Sequence, residues 1–208
     1  NDNRGDCKMI LNELVGSVVQ LLLFTLLPFI IWLIFARKLE NFFSWIGLKK
    51  PKCDNVPKLI AISAAVAVVY IVAMMLVTKN LPEGVTTAGS EFAGKGIAAL
   101  PAVIFYAVIR TALSEEILFR GFILKVIQRK AGFMVGNTVQ AVLFGLMHGI
   151  PFGLVTKSVV ACILLTLLPG LIGWYEGWMN EKRCGGSIVP GWILHSCFNL
   201  ATSILTLF

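Results

Sequence analysis

The sequence predicts an all-α fold: a polytopic transmembrane helical bundle of about six spans, with a polar site buried between the helices. Three observations carry this. The 208 residues are 57% hydrophobic and only 14% charged, too apolar for a soluble domain of this length. Two runs, Ser17 to Ala36 and Leu59 to Thr78, each hold 20 residues without a charge, enough to cross about 30 Å of hydrocarbon. The basic residues behind the net charge of +7 cluster just beyond apolar runs, where they orient a membrane protein and build no nucleic-acid module.

The apolar segments run, in order, over 11–36, 59–78, 96–128, 132–149, 152–175 and 187–208. No internal repeat or low-complexity stretch divides them, so residues 1–208 read as one integral membrane domain. Segment 96–128 is longer than one span needs, and Pro101 offers a break that would create an extra half-helix. The first loop, 37–58, carries Arg37, Lys38, Lys49, Lys50, Lys52 and Lys58. Its "LENFFSWIGLKK" is amphipathic and suited to the cytoplasmic membrane surface. Lys125, Arg129 and Lys130 mark a second basic loop, Lys182 and Arg183 a third. These loops hold eleven Lys/Arg against five on the other side (Arg4, Lys8, Lys79, Lys95, Lys157). The positive-inside rule then puts both termini outside the cytoplasm. Nothing ahead of Ser17 has the pattern of a cleavable signal. The five cysteines form no CxxC pair, so no disulfide framework and no cysteine-based metal site is expected.

Ionisable residues inside a span are expensive and mark function. They are Arg110, Glu115, Glu116, Arg120, His148 and His195, with Glu176 at a segment end. Glu116 and Arg120 are i and i+4 and share a face; so do His195 and Asn199, and Phe144 and His148. Glu115 is turned by about 100° from Glu116 on an ideal helix. Glu115 and His148 lie at similar distances, roughly 22–25 Å at 1.5 Å per residue, from the turn near Arg129–Gly132. An antiparallel hairpin brings them level. A carboxylate beside a neutral histidine can take a proton from water. A second histidine and an amide supply donors for an oxyanion. Together these are the means to hydrolyse an amide with activated water.

Each residue alone has a plainer reading. Glu116–Arg120 and Asn199 serve as interhelical glue, Arg110 as a structural or snorkelling residue, and Glu176 as a solvated helix end. Trp174, Tyr175, Trp178 and Trp192 resemble an interfacial belt. Ser114, Ser196 and Cys197 do not share the His195 face and make poor nucleophiles. Gly145, Gly149, Gly170 and Gly173 suit close helix packing, not phosphate binding. No cofactor is expected; the lesser metal alternative is zinc on Glu115, His148 and His195. A proton-coupled transporter would need inverted repeats, which the sequence lacks.

EEILFR (115–120), FGLMH (144–148) and HSCFN (195–199) resemble, in order, the EExxxR, FxxxH and HxxxN/D motifs of the CPBP family. That family holds CAAX prenyl endopeptidases and bacterial (Abi-type) proteins of bacteriocin processing or self-immunity. The resemblance covers about 96–205. It implies that Glu115 is the catalytic carboxylate and His148 its partner in activating water. It also implies that His195 and Asn199 form the oxyanion site, with Glu116 and Arg120 in support. The short chain reads as a bacterial member of the cytoplasmic membrane. Its expected partners are membrane lipids and a hydrophobic or lipid-associated peptide substrate, with no nucleic acid. The alternative is a non-catalytic self-immunity or scaffold protein.

Overall fold

A computed structural model describes residues 3–80 and 88–208, and these are mostly helical with no strand among them. The first apolar run forms α1 (Asn3–Phe35). A four-residue turn, α2 (Phe42–Trp45), follows it, with Asn41 capping Ser44 N. Next come α3 (Val56–Lys79) and a continuous helical segment, α4 (Ile97–Ala131). The bundle is completed by α5 (Phe133–Thr156), α6 (Val159–Arg183) and α7 (Val189–Thr206). Five of these, α1, α3, α4, α5 and α6, are long and apolar enough to cross a membrane. The sixth expected segment, α7, runs among them and carries the polar residues. Leu22, Leu23, Val68, Val69 and Leu171 all point outward, the apolar exterior that lipid requires.

Pro101 does not break α4. It sits in the first turn of its α-helical start, where a missing N–H costs nothing. Two stretches of α4, Phe105–Leu113 and Glu116–Leu124, are instead π-helical. Such turns are rare and tend to mark functional sites. Ser114 Oγ donates to the Ile109 carbonyl (3.0 Å) and Thr111 Oγ1 to the Tyr106 carbonyl (2.9 Å), both five residues back. Trp192 Nε1 donates to the Val108 carbonyl (2.8 Å). The widened helix thus keeps its carbonyls served away from water.

The α5–α6 boundary also differs from expectation. Helix α5 runs through Pro151 and turns only at Lys157 and Ser158. Ser158 Oγ caps Ala161 N (3.2 Å), which starts the next helix there. Below the turn the two helices touch backbone to backbone. A Cβ on Gly145 would lie 2.2 Å from the Thr166 carbonyl oxygen, so the glycines work as the packing contacts expected of them.

The three basic loops meet at one end of the bundle. Ser187 Oγ donates to the Lys49 carbonyl (2.6 Å), Ile188 N to the Gly47 carbonyl (2.9 Å), and Arg129 to the Trp45 carbonyl (3.3 Å). Trp45 and Ile46 are buried while Leu39 and Phe43 stay exposed, so the amphipathic stretch docks on the bundle as well as facing outward. At this end Cys53 and Cys184 form a disulfide, which corrects the expectation of none. The partners are separated by 131 residues, and local cysteine spacing cannot reveal such a pair.

Candidate active site

The π-helical part of α4 carries Glu115, Glu116 and Arg120 into the bundle, and α7 brings His195 against them. Glu116 and Arg120 are fully buried, and Glu115 is 7% exposed. His195 stands between the two carboxylates: Nε2 is 3.6 Å from Glu115 Oε2, and Nδ1 is 3.6 Å from Glu116 Oε1. Each ring nitrogen thus faces a carboxylate oxygen, at a separation just beyond a direct hydrogen bond. Arg120 Nη1 lies 3.2 Å from Glu116 Oε1, the predicted i,i+4 pair. Its guanidinium also stacks over the Phe144 ring at 4.2 Å.

Helix α5 brings Phe144 and His148. The Phe144 ring lies 4.5 Å from the His148 ring and 5.8 Å from that of His195, the latter edge-on. The Phe144 ring thus touches both histidine rings, and His195 is the histidine that faces Glu115. His148 Nδ1 donates to the Phe144 carbonyl (2.8 Å). A carbonyl only accepts, so this bond leaves Nε2 as the acceptor of the neutral ring. On α7, one turn from His195, Asn199 Nδ2 donates to Thr111 Oγ1 (2.7 Å). Thr111 in turn donates to the carbonyls of Tyr106 and Ala107. That fixes the direction of the Asn199 amide.

Three residues were not legible beforehand. Glu176 was expected to be a solvated helix end; instead it is 1% exposed and paired with Arg120 Nη2. Helix α6 does not stop at its aromatic residues but continues to Arg183, which leaves Glu176 inside. Asn180, also buried, donates to Glu116 Oε2 (3.3 Å) and accepts from Gly191 N (2.9 Å). Thr111 is the third. A hint lay in the glycines: a Cβ on Gly173 would come within 3.0 Å of Arg120 Nη2, and one on Gly191 within 2.6 Å of Glu116 Oε2. Such positions leave room for large polar groups from a facing helix.

The plainer readings hold for other candidates. Arg110 pairs with Glu13 (2.9 Å) as a structural residue. Ser114 and Ser196 back-bond to their own helices, and Cys197 is exposed away from the site. Among the described residues, one trio could hold a metal ion: Glu116, Glu176 and His195, with ligand atoms within 4.8 Å of one another. The lesser zinc alternative, Glu115, His148 and His195, is not the trio gathered here. Arg120 already lies between Glu116 and Glu176. A dication there would face a guanidinium paired with the same two carboxylates, so the trio fits a metal poorly.

Residues 97–201 match the family model of the type II CAAX prenyl endopeptidases, Rce1-like. The match spans about half of the 208-residue chain and contains all three motifs. The chain belongs to this family. Membership implies CAAX-type intramembrane protease activity, in agreement with an integral membrane bundle whose polar residues converge inside it. No match was found among curated proteins or among solved structures.

Proposed function

We propose that the protein is an intramembrane endopeptidase that hydrolyses a peptide bond of a hydrophobic or lipid-associated peptide by direct attack of water. The observation that carries this is His195 held between Glu115 and Glu116 in a dry cluster. Glu115 Oε2, Glu116 Oε1 and His195 Nδ1 are buried without hydrogen-bond partners among the described residues. Buried polar atoms are costly unless water or substrate serves them.

In this mechanism Glu115 takes the proton of a water as it attacks the scissile carbonyl carbon. The acceptor nitrogen of His148 assists. The oxyanion receives hydrogen bonds from His195 and from the oriented Asn199 amide, which strengthen as charge develops. The proton then passes from Glu115 to the departing nitrogen as the C–N bond breaks, which leaves a carboxylic acid and a free amine. Arg120 and Asn180 hold Glu116 in place behind His195. No step requires a metal. A site between helices suits a substrate that enters sideways from lipid.

The test is proteoliposome cleavage of two peptides, one with a prenylated cysteine near its C-terminus and one hydrophobic but unlipidated, with products sized by mass spectrometry. Wild type should cleave at least one, with chelator leaving the rate unchanged. Glu115→Gln, inserted at the same level, should be silent; cleavage by that variant sinks the mechanism. No cleavage by wild type favours the scaffold reading.

A further inference from the structure

We infer that Glu176 is a positioning residue of this site, acting through Arg120; the inference rests on the peptidase reading above. Glu176 belongs to a cluster of charged groups from three helices, Glu176 (α6), Arg120 and Glu116 (α4), His195 (α7) and Glu115 (α4); its ion-pair partner there is Arg120, and one of its carboxylate oxygens lies within 4.8 Å of a His195 ring nitrogen. Helix α6 offers Arg120 a socket. Glu176 Oε2 takes Nη2, and Gly173, one turn earlier, has no side chain where the guanidinium lies. Phe144 covers one face of the guanidinium at 4.2 Å.

Glu176 fixes the plane of that guanidinium, and this aims Nη1 at Glu116. Glu116 is itself the acceptor beside His195 Nδ1. Without Glu176, Arg120 keeps one carboxylate, on its own helix, and Nη2 loses its partner in a dry core. The guanidinium must then turn toward Glu116. That draws Glu116 from His195, and His195 shifts against Glu115.

Structural glue alone does not explain the arrangement. An apolar pair of similar volume packs as well as a buried ion pair or better. Here two carboxylates, Glu116 and Glu176, share one permanent cation, and Glu116 Oε1, Glu176 Oε1, and Arg120 Nε and Nη1 all lack hydrogen bonds. Such an under-satisfied network is poor glue but can hold one geometry among several close ones.

The test compares wild type, Glu176→Gln, Glu176→Asp and Glu115→Gln in proteoliposomes on the better-cleaved peptide, with kcat, KM and thermal unfolding measured for each. Glu176→Gln should lower kcat about 100-fold, the cost of an ångström-scale misplacement, with KM changed less than about twofold because substrate contacts remain. Glu176→Asp keeps the charge on a shorter arm and should recover part of that loss. In an Arg120→Lys background, Glu176→Gln should add little, since the residue acts through the guanidinium. Wild-type kcat in Glu176→Gln overturns the inference, as does a full additional loss in the Arg120→Lys background. If Glu176→Gln does not fold, Glu176→Asp decides alone, and wild-type kcat there overturns it. Equal activity of wild type and Glu115→Gln overturns the peptidase reading and this inference with it. A silent Glu115→Gln beside unimpaired Glu176 variants overturns this inference only.

Discussion

Arg110 and Arg120 sit ten residues apart on α4, and each meets a glutamate from another helix. Arg110 is one-third exposed (34%), and its Nη1 donates to both oxygens of Glu13 at 3.1 and 2.9 Å. The carboxylate is satisfied, and Gly16 leaves room for the guanidinium on α1. Arg120 is fully enclosed and shared by Glu116 and Glu176, and unsatisfied atoms surround it. The same pair of residue types thus builds a fastener in one place and a reactive cluster in the other. What separates them is burial and unmet hydrogen-bonding capacity, not the presence of charge in a membrane helix.

Substitutions can break or sharpen that contrast. The largest effect should come from Arg120→Met. It leaves two buried carboxylates without their cation, so cleavage should vanish and unfolding in detergent should come about 3–5 kcal/mol sooner. Unchanged stability would mean that the cluster is wetter than its burial indicates. Asn199→Ala removes the proposed oxyanion donor and should cost about 10²–10³ in kcat with little change in unfolding. Thr111→Val leaves the Asn199 amide in place but loses its anchor, and a kcat loss of about tenfold should appear. Arg110→Met should be mildest. Its pair is partly exposed, so stability should fall by about 1 kcal/mol or less, with kcat within about threefold of wild type. A collapse of kcat in Arg110→Met would erase the distinction between the two arginines.

Much of this architecture was legible beforehand. The spans α1 and α3 announce themselves as charge-free runs. The three motifs put Glu115, Arg120, Phe144, His195 and Asn199 on helix faces that do converge. His195 is the histidine set against Glu115, and His148 lies against Phe144. What stayed hidden depends on contacts distant in sequence. Glu176 lies 56 residues from Arg120 and follows an aromatic stretch that resembles a membrane boundary. Asn180 is held by the start of another helix, and Cys53 meets Cys184 across most of the chain. The π-helical widening of α4 has no hydropathy signature, because its residues remain apolar whichever turn they adopt.

The most direct test sets two glutamates side by side. Glu115→Gln and Glu13→Gln each remove one buried carboxylate charge from the same bundle with almost no change in shape. At matched levels of folded protein in the same proteoliposomes, Glu115→Gln should lower the cleavage rate by about 10³-fold or more, and Glu13→Gln should stay within about threefold of wild type. Similar rates for the two variants would contradict the assignment of catalysis to the cluster around His195.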